Sequence, residues 1–299
     1  MNPYIEALRL ERWPRSTAIF LGSLAYLFLA TDKKFLGQYL WSLIWKTSLA
    51  FLLTWGISTV NYVINEIADA PYDRHHPVKK NRPLASGRIK KGPFIFIGII
   101  LGLVCFFLAW LFFPWTFLIF LLTLLLAGFF YNVPPFRSKD IPFLDSISES
   151  ANNPIRFLIG WYALAGSFHP FPSPGLLLAW WAFGNFLMVA KRLSELRWLK
   201  EAAGLYRQSL LHYTPFSLMI GLSLSALVFF AGYIWFCLEK HLKLWLFYIP
   251  LLIIYFLLFL WKTLAEKAVM EEPEKLFRRP LFAFYSLGLG LLFLISLLL

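Results

Sequence analysis

The sequence predicts an all-α membrane protein: nine transmembrane helices in a single polytopic domain spanning residues 1–299. Three observations predict it. Of the 299 residues, 59% are hydrophobic and 19% aromatic, more apolar surface than a water-soluble domain of this size needs. Apolar runs recur from Ser16 nearly to the C-terminus, and many reach the ~20 residues that cross a bilayer as helix. The basic residues alternate in step with those runs. With the N-terminus in the cytoplasm, 22 of the 28 Lys and Arg residues fall in inner segments and four (Lys33, Lys34, Lys240 and Lys243) fall outside, while Lys46 and Arg156 lie within helices. One missed helix would scramble that alternation. The charges therefore support nine crossings, with the N-terminus inside and the C-terminus outside.

The apolar runs cover residues 14–31, 40–68, 93–113, 115–131, 151–168, 176–194, 212–237, 243–262 and 280–299. The first follows a polar stretch holding Arg9, Glu11, Arg12 and Arg15, and no small-residue cleavage site comes after it; it reads as a retained helix, not a signal peptide. The second ends in a stretch rich in Asn and Asp. The fifth is the weakest, because Asn152, Asn153 and Arg156 occupy its first turns. The sixth ends in Lys191-Arg192, and the ninth is a plain apolar helix end. Outer loops are short and chemically poor, whereas inner loops hold nearly every ionisable residue. The chemistry is expected on the cytoplasmic side of the cell membrane.

The net charge of +12 does not call for nucleic acid. In a chain of this class, basic residues orient helices and touch anionic lipid headgroups. Cys105 and Cys237 both sit in apolar runs, without metal or disulfide spacing, and read as reduced packing residues.

The end of the second run carries the sharpest signal. Asn61, Asn65, Asp69 and Asp73 recur every four residues, which on a helix makes one polar stripe. Three oxygen-bearing side chains on successive turns suit a hard divalent cation such as Mg²⁺, which takes one or two protein carboxylates and fills its shell with water and substrate phosphate. Polar groups this deep in apolar sequence are costly and read as functional. Pro71 interrupts the backbone pattern, so a bent or unwound turn is expected at Asp73. The following loop supplies Lys79, Arg82 and Arg88, suited to the oxygens of a metal-bound diphosphate. His75 and His76 are adjacent, point in different directions and have no further ligand at zinc spacing, so His76-Pro77 reads as turn structure.

A second group of polar residues follows later. After the fourth run, Tyr131-Asn-Val-Pro134-Pro135-Phe-Arg137-Ser-Lys139 places Arg137 and Lys139 behind a proline turn, as phosphate contacts or as headgroup anchors. Asp145 and Glu149 are one turn apart, and Arg156 within an apolar run needs a partner or an anion. At the end of the sixth run, Lys191, Arg192 and Glu195 are candidates; Lys191 and Glu195 are four residues apart and could also form a plain surface pair. Arg207 and Tyr213 are weaker candidates.

The Asn65-x-x-x-Asp69-x-x-x-Asp73 stripe on the second of nine helices resembles the first Asp-rich motif of the UbiA-type intramembrane prenyltransferases. The Arg82-Pro-Leu-x-Ser-Gly87 and Tyr131-x-x-Pro-Pro-x-Arg-x-Lys139 loops are similar to that family's loops as well. Glu66 departs from it, standing where the family usually has Asp. The resemblance implies a UbiA-like bundle and a Mg²⁺-dependent transferase acting on a polyprenyl diphosphate, with an acceptor small molecule as second substrate. It implies Asn65, Asp69 and Asp73 as metal ligands and Glu195 as a further catalytic residue. It implies substrate contacts from Lys79, Arg82, Arg137, Lys139, Arg156, Lys191 and Arg192. It also implies a second Asp-rich motif, holding a second Mg²⁺, at the end of the sixth helix; this chain has no Asp there, so either Glu195 serves as the second metal ligand, or Lys191 and Arg192 bind phosphate directly and the second metal is absent or weak. His76-Pro77-x-Lys79-x-x-Arg82-Pro83 and Lys191-Arg192-x-x-Glu195 also resemble the decaprenyl-phosphate phosphoribosyltransferase branch, which implies phosphoribosyl transfer to a polyprenyl phosphate as the alternative. A cation-coupled transporter is a third reading, for which a midplane site at broken helices would be expected.

Overall fold

The computed structural model describes residues 2–30, 40–74, 79–200, 203–265 and 279–298. Lys33, Lys34, the His75-His76-Pro77 turn and part of the inner segment before the ninth run lie outside the described residues. Among the described residues the regular structure is entirely helical. The α-helices in chain order are α1 (Pro3–Leu8), α2 (Ala18–Leu29), α3 (Leu40–Asp73), α4 (Lys91–Phe112), α5 (Trp115–Asn132), α6 (Leu144–Ser150), α7 (Asn152–Tyr162), α8 (Pro174–Leu199), α9 (Ala203–Tyr206), α10 (Pro215–Glu239), α11 (Lys243–Leu246), α12 (Ile249–Ala265) and α13 (Pro280–Leu298).

Five of these are long and apolar enough to cross a membrane: α3, α4, α5, α8 and α10. The apolar helices α12 and α13 are shorter. The chain is a multi-pass integral membrane protein. Its apolar residues face outward as readily as inward; on α4, Phe96, Leu103, Phe107 and Trp110 are all exposed, which lipid tolerates and water would not. Each of the nine apolar runs holds a helix, but two are shorter than the sequence predicts. The first run spends its start on a 3₁₀ helix, Leu10–Thr17, which includes Pro14, and leaves 12 residues to α2. The fifth yields only the 11 residues of α7, which ends at Tyr162 ahead of a turn.

The chain divides into two compact units, the first of residues 1–139 and 151–172, the second of residues 140–150 and 173–299. In the first unit, α3 packs against α4, α5 and α7, and α2 packs against α7. Small residues let these helices touch backbone to backbone. A Cβ on Gly160 would lie 2.1 Å from the Ile19 carbonyl oxygen, and one on Gly128 would strike the Asn61 side chain at 2.1 Å. Asn61 is therefore committed to packing. Its Nδ2 donates to the Leu124 carbonyl at 2.9 Å, while its Oδ1, like that of Asn65, is buried with no hydrogen-bond partner among the described residues.

The short α1 starts on Pro3, with the Asn2 side chain accepting from the Tyr4 N–H at 2.9 Å. Its Ala7 is buried in a cluster with Val63, Ala70, Leu84, Ile89 and Phe94. This cluster fixes the loop after α3 against the end of α3, which is what positions the site.

In the second unit, α8 packs along α10, and α6 packs on α8. Thr214 and Ser217 form a reciprocal capping box at the start of α10, with Pro215 in its first turn. Inside the α8–α10 contact, Asn185 Nδ2 donates to Ser225 Oγ at 2.9 Å.

Candidate active site

Helix α3 runs unbroken through Pro71 to Asp73. The unwound turn expected there is absent. Proline in the last turn forfeits one helical hydrogen bond where the helix is ending anyway, and the backbone closes with the Arg74 N–H donating to the Ala70 carbonyl at 3.3 Å. Asn65, Asp69 and Asp73 thus keep their four-residue spacing along α3.

The basic side chains of two loops converge on those carboxylates. Arg82 Nη1 lies 2.5 Å from Asp73 Oδ2 and 4.0 Å from Asp69 Oδ2. Arg137 Nη2 donates to Asp69 Oδ1 at 3.1 Å. Lys139 Nζ contacts the same Asp69 oxygen and also donates to Asn132 Oδ1 at 3.1 Å. The backbone of Arg137 is left-handed at φ 27°, a conformation that non-glycine residues rarely adopt. It is held there by guanidinium bonds to the carbonyls of Asn132 at 3.2 Å and Ala68 at 3.4 Å, with the guanidinium 4.6 Å from the Tyr72 ring centre. Three cations therefore surround two carboxylates, leaving a positive surplus. Asn65 Oδ1 is buried with no hydrogen-bond partner among the described residues, an orphaned oxygen one turn from Asp69.

One sequence expectation changes here. Arg88 does not reach the stripe. Its guanidinium holds Glu6 of α1 through two bonds of 2.8 Å and donates to the Asn81 carbonyl at 2.7 Å. That contact holds the Glu6 carboxyl below the usual glutamate range. Glu66, the departure from the family pattern, is 2% exposed and accepts from Arg9 Nη2 at 3.1 Å. Sequence reasoning missed Arg9 and Asn132. The contact joining Arg9 to Glu66 spans 57 positions and leaves no local signal. Lys79 sits on a short 3₁₀ helix, Lys79–Asn81, just ahead of Arg82. Arg156 is half-buried in the first turns of α7, a helix that packs on α3.

The second unit carries its own polar cluster. Asp145 on α6 is fully buried and accepts from Arg192 Nε at 2.6 Å, Ser209 Oγ at 3.2 Å and Tyr213 Oη at 2.6 Å. Arg207 Nη1 stands 3.5 Å away from it. Arg192 also donates to Glu195 Oε2 at 2.7 Å, three residues on along α8, and lies 3.7 Å from Glu149. Burial, then the neighbouring Asp145 carboxylate, push the Tyr213 phenol up, so it remains a donor. Two expectations are corrected. Glu195 is not half of a surface pair, since it is 1% exposed and bonded to Arg192. Arg192 is 0% exposed and turns Nε to Asp145 and Nη1 to Glu195, where an open phosphate contact was expected. Lys191 is half-buried beside it. Glu201 lies outside the described residues.

Apolar helices long enough to span a bilayer, with a carboxylate stripe and convergent basic side chains at the end of one of them, define a polytopic membrane protein with a charged cluster at a helix terminus. Residues 19–296 match the UbiA prenyltransferase family, and the chain belongs to that family. The decaprenyl-phosphate phosphoribosyltransferases of two Mycobacterium tuberculosis strains (CDC 1551 / Oshkosh and ATCC 25618 / H37Rv) are 26% identical to it over 223 residues, 74% of this chain and 69% of theirs. Among solved structures, a UbiA homologue from Archaeoglobus fulgidus bound to DMAPP and Mg²⁺ superposes with a TM-score of 0.64 at 18% identity, covering 99% of this chain and 97% of that one. The same homologue bound to GPP and Mg²⁺ gives 0.62 at 17% identity, covering 99% and 96%. A structure described for digeranylgeranylglyceryl phosphate synthase gives 0.61 at 22% identity, again covering 99% and 96%. These likenesses establish a shared fold.

Proposed function

We propose that this protein is a Mg²⁺-dependent intramembrane prenyltransferase, moving a polyprenyl group from its diphosphate to an acceptor small molecule. The observation that carries the proposal is the Asp69–Asp73 pair with Arg82, Arg137 and Lys139 around it. Two carboxylates and the orphaned Asn65 oxygen fit the ligand share that a protein supplies to Mg²⁺, with the rest coming from water and phosphate. Among the described residues, no group of three or more His, Cys, Asp or Glu is arranged as a self-sufficient metal cage, which agrees with a site completed by substrate phosphate. The bound diphosphates and Mg²⁺ of the Archaeoglobus homologue's structures support the same reading.

In this reading Asn65, Asp69 and Asp73 hold the ion, which supplies Lewis-acid stabilisation to the departing diphosphate. Arg82, Arg137 and Lys139 shift from the carboxylates to the diphosphate oxygens as these enter, because charge-assisted bonds to phosphate replace those they give up. Lys79 and Arg156 add positive charge along the same path. Ionisation of the C1–oxygen bond leaves an allylic cation for the acceptor to capture, with the diphosphate held by the three cations. The nine apolar runs make nine crossings, with the N-terminus and the active site on the cytoplasmic side and the whole chain working as one polytopic enzyme. The charge distribution of the loops supports that orientation.

A second reading, phosphoribosyl transfer from phosphoribosyl pyrophosphate to a polyprenyl phosphate, is favoured by one observation. The end of α8 carries Lys191, Arg192 and Glu195 in place of an Asp pair, a pattern resembling the branch to which the mycobacterial relatives belong. Transport draws no such support, since the acidic stripe lies at the end of a continuous helix. The test is inorganic diphosphate release by purified protein from geranyl or longer prenyl diphosphates. Release that needs Mg²⁺ and is lost in Asp69→Asn is expected; equal release by the variant would refute the site.

A further inference from the structure

The family pattern implies a second divalent ion at the end of α8, and the side chains there do not fit one. Three carboxylates, Asp145, Glu149 and Glu195, face a single guanidinium. Arg192 takes Asp145 at 2.6 Å through Nε, Glu195 at 2.7 Å through Nη1, and stands 3.7 Å from Glu149 through Nη2. Both oxygens of Asp145 are engaged, Oδ2 by Arg192 and Ser209 and Oδ1 by Tyr213. Arg207 approaches Asp145 at 3.5 Å. Lys191, four residues before Glu195 on α8, supplies a third positive charge against the three carboxylates.

Mg²⁺ demands near-octahedral oxygen ligands and keeps several of its waters. Asp145, Arg192 and Glu195 are 0–1% exposed, so that shell could form only by displacing the guanidinium. Displacing it would strand a buried charge, the costliest outcome for a buried ion pair. A planar guanidinium with five donors instead matches converging carboxylates in geometry as well as in sign.

We propose that Arg192 occupies the carboxylates that would otherwise hold a second metal, so that this enzyme works with one divalent ion. The proposal rests on the reading of Asn65, Asp69 and Asp73 as the ion site. It makes Arg192 a positioning residue and explains why Glu195 can stand where the family pattern has Asp: its partner is a side chain, not a metal.

The test counts ions. Full-length protein in detergent micelles is titrated with Mn²⁺ in saturating inorganic diphosphate, and bound Mn²⁺ is read by electron paramagnetic resonance. One bound ion per chain is expected, unchanged in Glu195→Gln and lost in Asp69→Asn. Two ions per chain, one of them lost in Glu195→Gln, would overturn the proposal and leave the stripe reading intact. No bound ion would overturn both. The wild-type count decides the matter should Glu195→Gln fail to fold.

Discussion

Arg82→Gln should change metal and diphosphate binding in opposite directions. In this structure Arg82 competes for the ligands that Mg²⁺ needs, at 2.5 Å from Asp73 and 4.0 Å from Asp69. Two unit charges 4 Å apart at an effective dielectric of 20 attract by about 4 kcal/mol, and a hydrogen bond between charged groups contributes roughly 1.5–3 kcal/mol. Arg82 is 23% exposed and Asp73 7%, so solvent reduces these figures, and about 1–2 kcal/mol is a reasonable competing term. Without diphosphate, removing the guanidinium should therefore tighten Mn²⁺ binding roughly 5–30-fold. With the ion present, the variant should hold diphosphate more weakly by a similar factor, because a donor to the phosphate oxygens has gone. Isothermal titration of Mn²⁺ alone, then of diphosphate at saturating Mn²⁺, measures both. Weaker or unchanged Mn²⁺ binding in the variant would refute the idea that Arg82 guards the carboxylates until substrate arrives.

Other outcomes follow from the same geometry. Asp73→Asn should lower turnover about 10²–10³-fold, as expected when a charge-stabilising group at the reacting diphosphate is removed, with little change in thermal unfolding; single-turnover rates would show it, and near-normal activity would refute its role as a ligand. Glu66→Ala leaves Arg9 without its carboxylate and should destabilise the protein by about 1.5–3 kcal/mol, read as a lower unfolding midpoint; an unchanged midpoint would show that the pair is dispensable. Gly160→Leu forces a side chain against the Ile19 backbone and should block packing of α2 on α7, visible as loss of monodisperse protein in detergent. The Glu6–Arg88 contact lowers the Glu6 pKa, so its stabilisation is complete above the ordinary glutamate value of about 4.3 and is lost as pH falls through the lowered folded value. Hydrogen exchange in α1 should then be protected equally at pH 7 and pH 5 and less protected near pH 3; a change between 7 and 5 would contradict the assignment.

What could be read from the sequence was whatever has a local period. Asn65, Asp69 and Asp73 share a helix face through simple spacing, and Arg137 and Lys139 follow a proline turn that fixes their place beside α5. Asp69, Asp73, Arg137 and Lys139 do converge with Arg82. Contacts across the chain were not legible. Arg88 has the chemistry of a phosphate ligand, but α1 carries Glu6 to it from 82 positions away. The Lys191–Glu195 spacing suggests an exposed helical pair, whereas the partner of Glu195 is Arg192, which also holds Asp145 from 47 positions away. Asn61 has the right period for the stripe, but its packing against Gly128 and its Nδ2 bond to Leu124 span more than 60 positions and could not be read locally. Helix lengths failed where apolar composition continues past a backbone break, as in the runs holding α2 and α7.

The central claim is that the α3 stripe handles the diphosphate of a prenyl donor. Its most direct measurement offers purified protein and Mg²⁺ a prenyl diphosphate, with water in place of the acceptor, and phosphoribosyl pyrophosphate with a polyprenyl phosphate, in separate reactions, following inorganic diphosphate release. Release from the prenyl diphosphate, abolished by Asp69→Asn, is the predicted result. Consumption of phosphoribosyl pyrophosphate with the prenyl diphosphate untouched would contradict it and turn the same site to phosphoribosyl transfer.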